Sequence, residues 1–476
     1  MEIPSVNYYV ARPCPVKQYA IEFSLHILGY RARQVETPRE CNLFYGDRAV
    51  SECSAAVFVP EAPQHGALWQ DALKPGFTPD PVLPFDVVRA IGLLLTDSVN
   101  RRDVRPGVAG RVVYDNHDRL AYPSSWQAAN GCGEIPVVNA YVAALGRALK
   151  RMIPGEPLPL WPAGKCAAIG LSHDVDRLDL WAELKGCLSR PNAGYIVDAT
   201  RSIIRNTLRR HDDFGLFRDL IRLEAELGFR STFLFASVNR YQKGGDFHDV
   251  AYDIAEEKVR DLFDYILSRD FEIGLHSSYC ARAGAAARFS QERLRLEKFT
   301  GTKVLGQRHH FWHTAIEAEQ TIAHHEEAGF GYDSSIAFND HLGFRRNVAL
   351  PYHPWLPAAG RPVQVLELPV FCMDGNVFYR PGQRGDGQAD QIRALVATLK
   401  EYGGVGVLDW HSDTSHPKTP GYQTWGACYL SLLRTFTEDS TLWVTSLGQL
   451  SRWIEQRQAR LRGGTESVPA PSTCNG

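Results

Sequence analysis

From about residue 165 onward, short apolar runs alternate with longer stretches in which apolar residues recur at helical spacing. Several of these helical stretches end at a glycine, for example Gly228, Gly301 and Gly329. Short buried strands that alternate with helices are typical of βαβ units and of a parallel sheet covered by helices. The repetition favours a closed or nearly closed barrel over an open sheet. The predicted strands lie at residues 167–171, 231–237, 271–278, 303–310, 330–335, 365–371, 404–413 and 442–446.

The first 150 residues have a less regular pattern. The run AAVFVP at 55–60 predicts a strand, residues 87–95 predict a helix or a buried core element, and residues 137–149 have helical spacing. No group of polar residues in this part indicates chemistry. We therefore expect a smaller α/β domain of unassigned role ahead of the barrel.

Changes in composition mark the expected domain boundaries. The segment at 154–165 is rich in proline and glycine, which is typical of a linker. The residues after Gly463 are too polar and too small to pack, so we expect them to be disordered. The predicted organisation is an amino-terminal domain at 1–150, a linker at 151–164, a barrel at 165–461 and a disordered tail at 462–476.

Polar side chains follow the predicted strands directly. Asp174 and Asp176 come after the first barrel strand, and because they are two residues apart on extended backbone they point the same way. Two like charges at that spacing need a cation or a shared proton, although an isolated pair more simply caps a helix or turn. The carboxyl ends of barrel strands share one rim, so all such groups are expected to converge in one pocket. The others are His276, Arg308, His309, His310, Asp333, Asp409 and His411.

Composition and charge argue against several classes of protein. The 476 residues are 44% hydrophobic and 22% charged with a net charge of −2, which argues against a nucleic-acid partner. The ten cysteines form no CxxC pair, so we expect reduced thiols rather than a disulfide framework. Without a signal-like start or a run of 18 apolar residues, we expect a cytoplasmic protein with no transmembrane segment.

Seven short motifs between residues 165 and 455 resemble, in order and spacing, those of the polysaccharide deacetylase superfamily, the NodB-type carbohydrate esterases. The resemblance is closest to a branch whose first motif reads T/S-H-D-V-D and which carries an extra amino-terminal domain. It implies a distorted (β/α)7 barrel, one divalent metal ion, usually zinc, and the removal of acetyl groups from amino sugars. The motifs are SHDVD (172–176), STFLF (231–235), GLHSSYC (274–280), GQRHHFW (306–312), GYDSS (331–335), LELPV (366–370) and LDWHSD (408–413).

The resemblance also implies roles for the catalytic residues. Asp174 matches the general base, and Arg308 matches an arginine that positions this base. His411 matches the general acid, with Asp409 or Asp413 orienting it. A carboxylate that takes a proton from water and an imidazole that protonates the departing amine are suited to amide hydrolysis.

The metal site departs from the superfamily pattern in one position. Asp176 and His276 match the metal carboxylate and the first metal histidine, but the residue four positions after His276 is Cys280 instead of a second histidine. A thiolate can bind zinc, and i, i+4 spacing on a helix would put both side chains on one face. His310 could instead supply the third ligand, or the protein could provide none.

Four further residues are candidates for substrate binding. By the resemblance, Trp312 and Asp333 lie around the substrate. Tyr352 and Trp355 fall on a long loop before residues 365–371, where they could form a wall that stacks on sugar rings.

The sequence therefore predicts a metal-dependent hydrolase that removes acetyl groups from N-acetylated, or less readily O-acetylated, sugars of cell-surface polysaccharides or glycolipids. Two alternatives stay open at this point. One is an allantoinase-like amidohydrolase that acts on a small amide, and the other is a degenerate barrel that binds a glycan without catalysis.

Overall fold

The structure, a computed structural model, describes residues 2–47, 57–62, 70–74, 82–101, 112–178, 215–379, 387–419 and 421–463. Within them, the chain forms a four-stranded parallel sheet in its amino-terminal part and a nine-stranded parallel sheet in the remainder. The tail predicted at 462–476 lies outside the described residues from 464 onward.

The amino-terminal sheet has the strand order β2-β1-β3-β4. Its strands are β1 (Ser5–Val10), β2 (Arg31–Gln34), β3 (Leu43–Gly46) and β4 (Val57–Pro60), and its helices are α1 (Pro15–Leu28), α2 (Val87–Leu95), α3 (Trp126–Ala129) and α4 (Val137–Lys150). Asp86 caps α2 by accepting a hydrogen bond from the Arg89 amide. Gly29 ends α1 with a φ of 88°, and a Cβ there would collide with the Leu158 backbone.

The larger sheet contains every strand that the hydrophobic pattern predicts after residue 165. Its strands are β5 (Ala167–Val175), β6 (Thr232–Phe235), β7 (Glu272–Ser277), β8 (Gly306–His309), β9 (Tyr332–Asp333), β12 (Leu366–Glu367), β13 (Val370–Met373), β14 (Val405–Asp409) and β15 (Leu442–Ser446), while β10 (Trp355–Leu356) and β11 (Arg361–Pro362) form a separate two-stranded ribbon. The helices of this part are α5 (Gly215–Glu226), α6 (Glu257–Leu267), α7 (Ala285–Thr300), α8 (Ala318–Glu327), α9 (Asp374–Phe378), α10 (Gln388–Glu401), α11 (Gln423–Glu438) and α12 (Leu447–Leu461).

The sheet closes on itself through one extended segment. The strand order is β12-β9-β8-β7-β6-β5-β14-β13, so β12 and β13 lie at its two edges. These two strands are consecutive in sequence and are separated only by Leu368 and Pro369. The Leu368 amide donates to Asp333 on one side, and the Pro369 carbonyl accepts from Val407 on the other. The predicted distorted (β/α)7-type barrel is thereby confirmed. The extended segment that closes it is divided into β12 and β13.

Strand β5 is the centre of the barrel. All nine of its residues are buried: the apolar run predicted as a strand at 167–171 and the four residues that follow it, Asp174 among them. It pairs with β14 along one side, while β15 and then β6 share its other side. Its carboxyl end, at Val175, therefore lies at a rim that also receives the ends of β7, β8 and β14.

The amino-terminal part packs on the barrel through shared apolar and polar contacts. Its core includes barrel-side residues such as Ile322, Val348 and Leu350. Arg457 of α12 donates to the carbonyl oxygens of His26, Ile27, Leu158 and Pro159 at the end of α1 and in the predicted linker.

In the described residues, no helix combines the length and the apolar character needed to cross a membrane. The predicted domain boundaries stay a prediction.

Candidate active site

The carboxyl ends of the barrel strands enclose a cavity of about 470 Å³. Its polar wall contains the side chains that follow the strands, and its rim is rich in aromatic rings. A cavity of this size suits a ligand the size of one sugar unit. The lining residues from the strand ends and their loops include Asp174, Asp176, His276, His310, Trp312, Asp374, His411 and Asp413.

Three side chains at this rim form a cluster with metal-ligating geometry. The Asp176 Oδ1 atom lies 3.4 Å from His276 Nε2 and 3.4 Å from His310 Nε2. Asp176 Oδ1 is buried and has no hydrogen-bond partner in the described residues. The ligand atoms of the three residues all lie within 4.8 Å of one another. One carboxylate and two imidazoles with an unsatisfied buried oxygen are a donor set that fits a divalent ion such as Zn²⁺.

Other contacts orient both imidazoles toward Asp176. His276 Nδ1 lies 3.0 Å from the Arg308 carbonyl oxygen and donates to it, which turns Nε2 toward Asp176. His310 Nδ1 lies 3.5 Å from Asp249 Oδ1, and Asp249 is itself held by the Tyr279 amide. Asp249, on a loop after β6, was not predicted as a site residue. A carboxylate behind a ligating histidine is a common support for a metal site.

The charges of the cluster are mutually stabilising. Burial by itself would raise the pKa of Asp176, but the imidazoles of His310 and His276 hold this pKa well below its usual range. Burial by itself would lower the pKa of His310, but Asp176 and Asp249 raise it to about 9. A metal ion would take the place of the protons that otherwise balance these carboxylates.

Cys280 lies away from this cluster, contrary to the prediction that it could be a metal ligand. It is exposed, and its Sγ atom contacts Asp246 Oδ2. The i, i+4 argument fails because β7 ends at Ser277 and a short 3-10 helix begins only at Ala281, so His276 and Cys280 share no helix face. Of the alternatives considered for the third ligand, the geometry favours His310.

Asp174 lies beside the cluster and is held by Arg308. Arg308 Nη1 donates to Asp174 Oδ1 at 2.7 Å and lies 2.8 Å from Asp409 Oδ1. Burial would raise the pKa of Asp174, but the Arg308 guanidinium lowers it. Burial instead raises the pKa of Asp409 well above its usual range. The lowered pKa keeps Asp174 ionised, and its other carboxylate oxygen faces His276 Nε2 at 3.7 Å.

His411 is oriented by Asp374, not by Asp409 or Asp413 as predicted. Its Nδ1 atom lies 2.8 Å from Asp374 Oδ1, and its amide donates to Asp374 Oδ2. Burial by itself would lower the pKa of His411, but Asp374 outweighs it and raises this pKa well above its usual value. The Nε2 atom lies 3.6 Å from Asp176 Oδ2, so this edge of the ring faces the metal-ligating cluster.

Of the four predicted substrate-binding residues, Trp312 alone lines the cavity. Asp333 is fully buried and accepts hydrogen bonds from Gln307 and from the amide of Ser335. It holds β8 against β9 instead of reaching the rim.

Tyr352 and Trp355 do not form the predicted wall. Both are buried, and Trp355 packs against the Tyr19 ring of α1 with the ring centroids 5.3 Å apart. Tyr352 lies in the core that the amino-terminal part shares with the barrel. The loop that carries them is covered by the amino-terminal part, so their apolar surface is used for packing.

Other aromatic residues occupy the rim. Tyr379 and Tyr422 pack edge-on against Trp425, each with a centroid distance of 5.0 Å, and all three line the cavity. Phe311 and Trp312, which also line the cavity, directly follow His310 and both have positive φ, 58° and 49°. Positive φ is unfavourable for bulky residues and is found where a site demands it.

A buried ion pair supports the first strand beneath the site. His173 Nδ1 lies 2.7 Å from the Trp410 carbonyl oxygen, and Nε2 lies 2.8 Å from Glu224 Oε1. Burial would raise the pKa of Glu224, but His173 lowers it, so the carboxylate is ionised. Because the Trp410 carbonyl oxygen can only accept, Nδ1 donates to it. Tyr429 completes the network by donating to Glu224 Oε1.

We expect Glu224→Gln to lower the free energy of unfolding by about 2 kcal/mol or more, because His173 loses the buried carboxylate that lies 2.8 Å from its Nε2 atom. Urea denaturation followed by tryptophan fluorescence measures the loss. Glu226→Gln on the same helix is the matched control, since Glu226 is exposed and its change should be within about 0.5 kcal/mol. Equal midpoints for the two variants would contradict the ion pair.

No family model matches the chain, and no curated protein matches it. Among solved structures, it is similar to a protein from Mycobacterium smegmatis assigned as a polysaccharide deacetylase, with 20% identity over 66% of this chain and 98% of that one and a TM-score of 0.41. A protein from Pseudomonas aeruginosa PAO1 with the same assignment shares 16% identity over 63% and 95%, with a TM-score of 0.42. Puue allantoinase shares 15% identity over 63% and 94%, with a TM-score of 0.41.

The first two of these structures carry the name of the superfamily that the sequence motifs resemble. At such identities and TM-scores, the reaction has to be inferred from the side chains of the chain itself.

Proposed function

We propose that the protein is a metal-dependent hydrolase that removes acetyl groups from N-acetylated sugars. The proposal rests above all on one observation, the Asp176–His276–His310 cluster, in which the buried Asp176 Oδ1 atom accepts no hydrogen bond in the described residues and which is flanked by Asp174 and His411. A carboxylate base and an imidazole acid on either side of a metal-ligating set are what hydrolysis of an unactivated amide needs. The sequence resemblance to polysaccharide deacetylases supports the same reaction.

The three cluster residues would hold a divalent ion, for which zinc is the simplest candidate. Such an ion supplies Lewis acidity at the acetyl carbonyl and makes water a better nucleophile near neutral pH. Asp174 and His411 each lie next to one of these three residues, so a base and an acid would be close to an ion held there.

Asp174 is suited to remove the proton from the attacking water. It is ionised, and the Arg308 guanidinium fixes one of its oxygens while the other faces the cluster. A base held in this way accepts a proton without first having to reorient.

His411 is suited to protonate the departing amine. Its Nδ1 atom contacts Asp374, and the raised pKa favours the form in which Nε2 carries a proton. An amine is a poor leaving group unless it receives a proton, so this step decides whether an amide can be cleaved.

A sugar fits the rim better than a small cyclic amide does. Trp312, Tyr379 and Trp425 supply flat aromatic surfaces around the opening of the cavity. Such rings suit the apolar faces of a sugar, while their polar edges bond to hydroxyl groups.

The test is a parallel screen for acetate release from N-acetylglucosamine oligomers and for ring opening of allantoin, using zinc-loaded protein. Acetate release that depends on metal supports the proposal. Ring opening without acetate release would replace it with the amidohydrolase alternative. A protein that binds the oligomers without turning over either substrate would be a glycan-binding barrel.

His411→Ala should lower the rate on an N-acetyl substrate by about a hundredfold or more, and the rate on an acetyl ester with a good leaving group far less. The reason is that an ester with a good leaving group departs without a proton from His411. Comparison of kcat/KM on the two substrates measures the difference. Equal losses on both would remove His411 from the role of acid.

A further inference from the structure

In the described residues, the amino-terminal part of the chain reaches the cavity at Arg119. Residues 115–119 form a tight turn in which Asp118 has a φ of 57°, and the side chain of Asp115 accepts from the amides of His117 and Arg119. Arg119, at the end of this turn, lines the cavity together with His310 and Phe311. In the sequence, this residue lies far outside the barrel.

Three contacts seat the 115–119 turn on the barrel rim. His117 Nδ1 lies 2.8 Å from the Tyr279 hydroxyl, and Asp118 Oδ2 accepts from Arg282 Nη2 at 2.6 Å. Arg119 Nη1 donates to the carbonyl oxygen of Phe311 at 2.9 Å. Phe311 directly follows the ligand His310, so the guanidinium is fixed close to the metal-ligating cluster.

Neighbouring groups hold the guanidinium of Arg119 in place, but they do not use all of its hydrogen-bond donors. It carries five N–H donors, of which Nε donates to Asp115 and Nη1 to Phe311. The Nη2 hydrogens have no partner among the described residues. Only 13% of the side chain is exposed, and the residue lines the cavity. A pre-oriented guanidinium edge is the common recognition group for carboxylates and phosphates.

We propose that Arg119 selects substrates in which the acetylated sugar also carries an oxyanion, a carboxylate or a phosphate. This inference rests on the proposed function and adds the class of sugar. The amino-terminal part then contributes to specificity, because it supplies the one cationic group of the wall that comes from outside the barrel in the described residues. In this proposal, Arg119 contacts the substrate, and the other residues of the 115–119 turn hold Arg119 in position.

The test compares three probes of similar size: N-acetylglucosamine, N-acetylglucosamine 1-phosphate and N-acetylmuramic acid. Binding is measured by calorimetry on zinc-loaded protein with Asp174→Asn, which keeps the probes intact, and kcat/KM is measured on protein with Asp174 in place. We expect at least one anionic probe to be preferred about tenfold or more over the neutral one. The preferred probe tells whether the oxyanion is a phosphate or a carboxylate.

Arg119→Gln should remove this preference, and Arg119→Lys should retain part of it, because lysine keeps the charge but loses the planar edge. Arg12→Gln makes the same change of charge on an exposed residue and should leave the ratio between probes as it is. Equal binding of all probes to the protein with Arg119 in place, or an equal loss on all probes in Arg119→Gln, would overturn the proposal.

The two proposals fail in different ways. If no probe releases acetate but the anionic probes still bind in an Arg119-dependent manner, the reaction is wrong and the recognition stands. If acetate is released from neutral and anionic probes at equal efficiency, the reaction stands and the recognition is wrong.

Discussion

His310→Ala should lose its zinc, whereas Cys280→Ser should keep it. Protein purified without added metal is expected to carry about one zinc ion per chain, held by Asp176, His276 and His310. Removal of one imidazole from a three-ligand set leaves too few donors to retain the ion through purification, and acetate release should fall with it. Elemental analysis measures the metal directly and needs no knowledge of the substrate.

Cys280→Ser is the matched control because it removes the other candidate ligand. Its Sγ atom is exposed and contacts Asp246 instead of the cluster, so the metal content should not change. Loss of zinc in Cys280→Ser with retention in His310→Ala would show that the loop after β7 rearranges to bring the thiol inward. Metal-free protein that takes up no zinc, cobalt or nickel would favour the non-catalytic alternative.

Asp174→Asn should lower kcat/KM on an N-acetylated sugar by about a thousandfold while zinc content stays the same. The asparagine keeps the shape and can still accept from Arg308, but it cannot take a proton from water. Metal content separates this effect from loss of the site, because Asp176, His276 and His310 are unchanged. A urea midpoint close to that of the unmodified protein would show that the fold is intact.

Asp413→Asn is the control for the base, because Asp413 is another carboxyl of the cavity wall and contacts Arg177 instead of Arg308. We expect its loss of activity to be far smaller than that of Asp174→Asn. A large loss in Asp413→Asn with full activity in Asp174→Asn would make Asp413 the base.

The barrel was predictable from the sequence because buried parallel strands leave a strong apolar signal. The same signal indicated Asp174, His276, Arg308 and His411, since each lies at or just after the end of such a run. Asp374 also lies at the end of a buried strand. The sequence predicts that this strand ends at Phe371, whereas β13 continues to Met373. Extending that apolar run by two residues would have found the partner of His411.

The other differences arise from contacts that no local pattern encodes. Asp249 supports His310 from a loop whose path depends on the tertiary structure. Tyr352 and Trp355 have the composition of a binding wall, but the amino-terminal part covers them. Arg119 has no local signal at all, because its place in the cavity depends on how that part docks on the rim.

The pairing of β5 also has a consequence for the order in which the protein can fold. Ser172 Oγ of β5 donates to the carbonyl oxygen of Leu408 in β14, 236 residues further along the chain. During synthesis, the edge of β5 that pairs with β14 therefore stays unpaired until β14 has left the ribosome. Contacts of such long range slow folding and expose a strand that other chains can pair with. A chain truncated after β13 keeps every metal-ligating residue but leaves this edge open, and we expect it to aggregate before a site can form.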